Sequence, residues 1–116
     1  MHDRKIRVYI AGPYTSGDTV LNTRAAMNAW LELWAAGFVP ICPHWTMFQH
    51  LLTPLPKQDW LEYDSYILAI CGAVLRLEGE SEGADQEVEF ATHNGIPVFF
   101  TMEALTLFFK HVLQTS

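Results

Sequence analysis

Residues 6–11 read Ile6-Arg7-Val8-Tyr9-Ile10-Ala11 and run directly into Gly12-Pro13. The run is short, apolar and β-branched, and it stops at two turn-forming residues, so it predicts a strand. Outward from it the chain alternates. Between Asp18 and Ala36, Val20, Met27, Trp30, Leu31 and Trp34 recur at helical spacing, with Ser16 or Asp18 to cap the start and Gly37 the end. Phe38–Cys42 predicts a second strand, which Pro40 places at a sheet edge. Residues 43–56 hold Pro43, Pro54 and Pro56 and read as a long connection, the kind of segment that often carries function.

The rest repeats the pattern. Lys57 to about Ile70 predicts a helix with Trp60, Tyr63, Ile67 and Leu68 on one face. Ala73–Leu77 predicts a third strand, Ala84–Asn94 a helix ended by Gly95, Ile96–Phe100 a fourth strand, and Met102–Leu113 a last helix. No repeat, low-complexity tract or linker interrupts the order. Strands alternating with helices predict an α/β domain: a doubly wound, mainly parallel sheet of four to five strands, strand one central, helices on both faces. Ligands in such sheets bind at the carboxyl ends of the strands, here residues 12–18, 43–56 and 78–87.

Composition narrows the partners. With 116 residues the chain is one domain's length, and 50% hydrophobic against 17% charged residues is a globular ratio. The formal charge of −6, with no basic stripe, opposes binding to a nucleic-acid polymer. No segment approaches a membrane span or a signal-peptide core, so a cytoplasmic protein is expected. Cys42 and Cys71 match no metal spacing and read as buried thiols. Beside His44, the histidines His2, His50, His93 and His111 form no ligand set, so neither a metal nor another cofactor is expected. The large apolar side chains Trp30, Trp34, Trp60, Phe108 and Phe109 exceed what a small sheet covers, which points to self-association as a dimer or larger.

Three polar side chains stand where apolar ones are expected. On the helix after strand three, Ala84, Val88 and Ala91 centre the apolar face; Glu87 flanks it, and Glu89 points almost the opposite way. Glu87 therefore faces the sheet or cleft, near the positive end of the helix dipole, which favours the carboxylate. It serves either as a nucleophile or sugar-hydroxyl acceptor, or simply as an N-terminal helix acid. Asp64 lies on the buried stripe of its helix, four residues after Trp60, as a site acid or as a buried cap for a loop. Tyr9 interrupts an aliphatic strand, and its hydroxyl needs a partner; alone it is as much a core residue as a site residue. His44 and Trp45 follow strand two and offer a ribose contact and a base stack, or a packed loop.

VYIAGPY (8–14), PICPHW (40–45) and AVLRLEGESEGADQEVEFATHNGIPVFF (73–100), in this order, resemble the nucleoside 2-deoxyribosyltransferase superfamily, in particular its small bacterial and phage members. The resemblance implies a flavodoxin-like sheet and cleavage of the N-glycosidic bond of a nucleoside or nucleotide. It implies Glu87 as the nucleophile at the anomeric carbon, Tyr9 as the residue orienting it, and Asp64 as the acid at the leaving base. It also implies a phosphate contact at Ser81, to which Gly83 and the N–H groups of the helix start add an anion site. The glycine-rich phosphate loop of nucleotide-using members is altered here, and Gly12, Pro13 and Tyr14 in its place join His44 and Trp45 as the expected substrate contacts. The partner is then a small nucleoside or nucleotide, and the subunits associate. Separated pKa values, Glu87 low and Asp64 raised, divide the roles. The sugar ester passes either to a second base or to water. Two other classes fit the same residues: a binding or sensing module that holds a nucleotide without cleaving it, and an unrelated doubly wound domain with structural acids.

Overall fold

The computed structural model describes residues 6–110. Its elements are β1 (Arg7–Ala11), α1 (Thr19–Ala35), β2 (Val39–Ile41), a 3-10 turn (Pro43–Trp45), α2 (Thr46–Leu52), α3 (Lys57–Leu68), β3 (Ala73–Arg76), α4 (Glu82–His93), β4 (Val98–Phe99) and α5 (Met102–Phe108). The four strands form a parallel sheet in the order β2-β1-β3-β4, with Tyr9 paired to Ile41 on one side and to Val74 on the other. Strand one is central and β2 is an edge, where Pro40 leaves no central ladder bond unmade. The expected end of the last helix at Leu113 lies outside the described residues.

Side chains of a strand alternate between faces, and β1 shows what this does. Val8 and Ile10 pack with Ala26, Ala29 and Leu33 of α1, Phe38, and Leu105 of α5. Tyr9 and Ala11 face the other way, toward Leu68 of α3 and Ala84 and Ala91 of α4. The sheet is thus covered on both faces, and Tyr9 is committed to the side carrying α3 and α4.

Two expectations shift. The buried stripe of α1 is Ala26, Ala29 and Leu33, whereas Val20 (76%) and Leu31 (61%) are exposed. Small side chains let the helix lie close to the sheet, and Met27 and Trp30 pack at its margin. The long connection after β2 is largely helical. Pro43 opens the 3-10 turn at a position where its missing N–H is not needed, and α2 follows, too short for its period to be legible.

Caps fix the remaining boundaries. Asp18 accepts from the N–H groups of Val20 and Leu21 to start α1, and Ser81 from that of Ala84 (3.0 Å) to start α4. Gly79 has φ +112°, and a Cβ there would lie 2.7 Å from Cγ of Pro13. The loop after β3 therefore closes against the loop after β1 only because it carries a glycine.

Candidate functional site

The strand order reverses between β1 and β3, so the loops leaving their carboxyl ends diverge and open a crevice. The cleft there has a volume of about 380 Å³. Gly12, Tyr14, His44, Lys57, Asp64, Ser81, Glu82, Gly83 and Glu87 line it. Of these, only Lys57 lies outside both the expected strand-end segments 12–18, 43–56 and 78–87 and the singled-out Asp64.

Tyr9, 0% exposed beneath the cleft, donates its hydroxyl to Oε2 of Glu87. Burial first, then the charges of Glu87 and Asp64, raise the pKa of the phenol far above its usual range, so Tyr9 is the donor and Glu87 the acceptor. Burial raises the Glu87 pKa to about 7; Asp64 pushes in the same direction, while the Tyr9 bond and Arg76 oppose it. Burial also raises Asp64 to about 7. The expected low Glu87 is therefore corrected. Glu87 sits in the second turn of α4, beyond the first turn to which the helix dipole's effect is confined, and desolvation wins.

The other expected contacts divide. Ser81 accepts from Ala84, which leaves its hydroxyl hydrogen free to donate into the cleft it lines. A side chain at Gly83 would meet nothing within 4 Å, so the opening turn of α4 is bare toward solvent space. Pro13 is buried behind the cleft and contributes through its carbonyl, 2.9 Å from Nε2 of His44. Trp45 is turned away from His44: its indole N–H points to Met27 Sδ at 3.0 Å, and its ring stacks on Trp30 at 6.2 Å. It lines a neighbouring groove of about 620 Å³, with Trp60, Tyr63 and Asp64. Asp64 is shared between the polar cleft and this aromatic groove.

One further residue escaped sequence reasoning. Arg76 ends β3 with a buried guanidinium that donates to the carbonyls of Leu77 and Gly79 (2.9 Å) and pairs with Asp85 at 3.0 Å. It ties down the loop carrying Ser81 and adds positive charge near Glu87. The signal was present: an arginine inside the otherwise aliphatic AVLRL (73–77). Among the described residues no three His, Cys, Asp or Glu side chains converge as metal ligands, and no helix is long and apolar enough to cross a membrane.

A family model described as a domain of unknown function, DUF7768, matches residues 6–101. The chain belongs to this family. No curated protein matches it. Among solved structures, one similar fold is a 2-deoxyribosyltransferase from the psychrotolerant bacterium Bacillus psychrosaccharolyticus, with a TM-score of 0.59 and 15% identity. That alignment covers 79% of this chain and 69% of that one. The likeness establishes the α/β fold with its parallel sheet.

The raised carboxyl pKa values have a thermodynamic consequence. A folded state with Asp64 near 7 binds more protons than the unfolded chain, whose value is near 3.8, so stability falls as pH rises through that window. Asp64→Asn removes this liability. The variant is expected to be more stable than the parent at pH 8, by roughly 1–2 kcal/mol once screening by the open cleft is allowed for. Near pH 4 the two should be equal. Calorimetry at both pH values checks this; equal effects at both would contradict the burial of Asp64.

Proposed function

We propose that the protein cleaves the N-glycosidic bond of a nucleoside, a deoxynucleoside or their 5′-monophosphates, with Glu87 as nucleophile. The observation that carries this reading is the Glu87 carboxylate held by the buried Tyr9 hydroxyl at the wall of a cleft that also presents Asp64.

Two acids with raised pKa values share protons as a pair near neutral pH. Tyr9 and Arg76 favour the ionised form of Glu87, while burial alone acts on Asp64. The reaction uses the singly protonated form in which Asp64 holds the proton and Glu87 is the carboxylate that Tyr9 and Arg76 favour. Glu87 attacks the anomeric carbon, the C–N bond breaks, and its electron pair leaves with the base, which takes the proton of Asp64. The glycosyl ester is then opened by water or a second base at the same carbon. Asp64 takes up the incoming proton, and Glu87 leaves as carboxylate. The aromatic groove beside Asp64 offers Trp60 and Tyr63 to a planar base. Lys57 and the Ser81 hydroxyl favour the 5′-monophosphate, with Glu82 on the same lining opposing it.

The free, buried Cys42 and Cys71 fit a reducing compartment such as the cytoplasm. We also infer self-association. Trp30, Trp60 and Phe109 turn out to be partly covered, so the grounds move to the exposed Phe48, Leu51, Leu52, Tyr66 and Ile70 near α2 and α3, with Trp34 and Phe108. Light scattering at tens of micromolar should give a dimer or larger, and a monomer would overturn this inference.

Glu87→Gln preserves side-chain shape and should lower base release by several orders of magnitude, whereas removing the acid with Asp64→Asn should cost about 10²–10⁴-fold. Glu89→Gln removes the same charge from the exposed face of α4 and should leave the rate unchanged. Chromatographic assay of free base from a nucleoside and nucleotide panel reads all three. Full activity in Glu87→Gln would refute the assignment.

A further inference from the structure

His44 follows β2 and lines the cleft although it is only 5% exposed. Its Nε2 lies 2.9 Å from the Pro13 carbonyl oxygen. A carbonyl only accepts, so Nε2 must carry the hydrogen and donate. Burial disfavours the imidazolium and lowers the pKa of the ring, against the smaller opposing effect of the Pro13 bond. His44 is therefore neutral, and its Nδ1 is a bare lone pair. That atom is buried and has no hydrogen-bond partner among the described residues. A buried acceptor left unpaired is costly and uncommon, so each such atom calls for whatever completes it.

Nδ1 is thus the one polar atom His44 has left to offer the cleft. Tyr14, which lines the same cleft, stands edge-on to the imidazole with ring centres 5.8 Å apart. Nδ1 is shielded in the free protein, so a bound molecule reaches it only where a neighbouring side chain, such as Tyr14 of the loop after β1, gives way. We propose that His44 is a neutral hydrogen-bond acceptor of the cleft: Nδ1 receives an O–H or N–H hydrogen of the bound molecule and selects a neutral donor group over an anion at that wall. This deepens the nucleoside reading above and rests on it for the identity of the ligand. A phosphate oxygen, itself an acceptor, is repelled by the same lone pair. The donors of a nucleoside are its sugar hydroxyls and the N–H groups of its base, and both meet the requirement.

Ring-nitrogen NMR of the 116-residue chain with labelled histidines tests this. His44→Asn identifies the His44 signals among those of the five histidines. The probes, at millimolar concentration, are adenosine and uridine, their 2′-deoxy and 3′-deoxy analogues, and free adenine and uracil. The free protein should show Nδ1 as an unbonded lone pair. At least one nucleoside should move that signal toward the hydrogen-bonded position. Loss of the shift with one deoxy analogue assigns the donor to that hydroxyl, and a shift with the free base assigns it to the base. For the responding nucleoside, His44→Asn should weaken binding about 10-fold, and it should not affect the analogue lacking the donor. A hydrogen-bonded Nδ1 in the free protein, or a signal that no probe moves, would overturn the proposal. Base release measured in the same samples keeps the two readings apart. Release with an unmoved Nδ1 defeats this inference alone, whereas a moved Nδ1 without release defeats only the glycosidase reading.

Discussion

The hydrogen bond from Tyr9 to Glu87 ties the centre of the sheet to the helix that covers it. A phenol in the middle of a central strand, wholly removed from water, is tolerable only with a partner for its hydroxyl. The alternation of β1 sends that hydroxyl to the α3–α4 face, and the second turn of α4 supplies the acceptor. The bond also works in the other direction. It holds a carboxylate at the rim of a cleft and favours the charged form that burial disfavours.

Around this bond the site is built from loops that brace one another. Arg76 fastens the loop after β3 by its carbonyls, and Gly79 lets that loop touch Pro13 after β1. The carbonyl of Pro13 in turn orients His44 after β2. Three strand ends are therefore locked together around the cleft, and His44 is held at its wall. The cost is electrostatic: Asp64 and Glu87 are both pushed up to about 7. A sequence selected for stability alone would place neutral residues there, and retention of strained acids at a strand-end cleft marks functional sites more often than structural ones.

Much of this was legible from residue order. The β1 run, the cap at Asp18, and the angular positions of Glu87 and Glu89 follow from local sequence, which does not depend on distant contacts. What escaped depends on tertiary placement. The α1 stripe was assigned to the largest apolar side chains, whereas close packing on the sheet selected Ala26 and Ala29. Trp45 sits next to His44 in sequence, but a 3-10 turn rotates the two apart, and Trp30 and Met27 capture the indole. Glu87 was expected to be acidic because the dipole of its own helix is visible in the sequence, while the desolvation that outweighs it comes from other elements. Lys57 reaches the cleft only because α2 and the proline-framed segment return α3 to the mouth of β1.

The central claim is that Glu87 forms a covalent bond to the anomeric carbon of a sugar. Incubation with a nucleoside carrying fluorine at the 2′ position, which slows breakdown of a glycosyl ester more than its formation, tests this directly by mass spectrometry of the digested protein. The account predicts a fluorosugar mass added to the peptide containing Glu87, absent from Glu87→Gln and present in Glu89→Gln. Base release without any adduct, or an adduct on another residue, would contradict it.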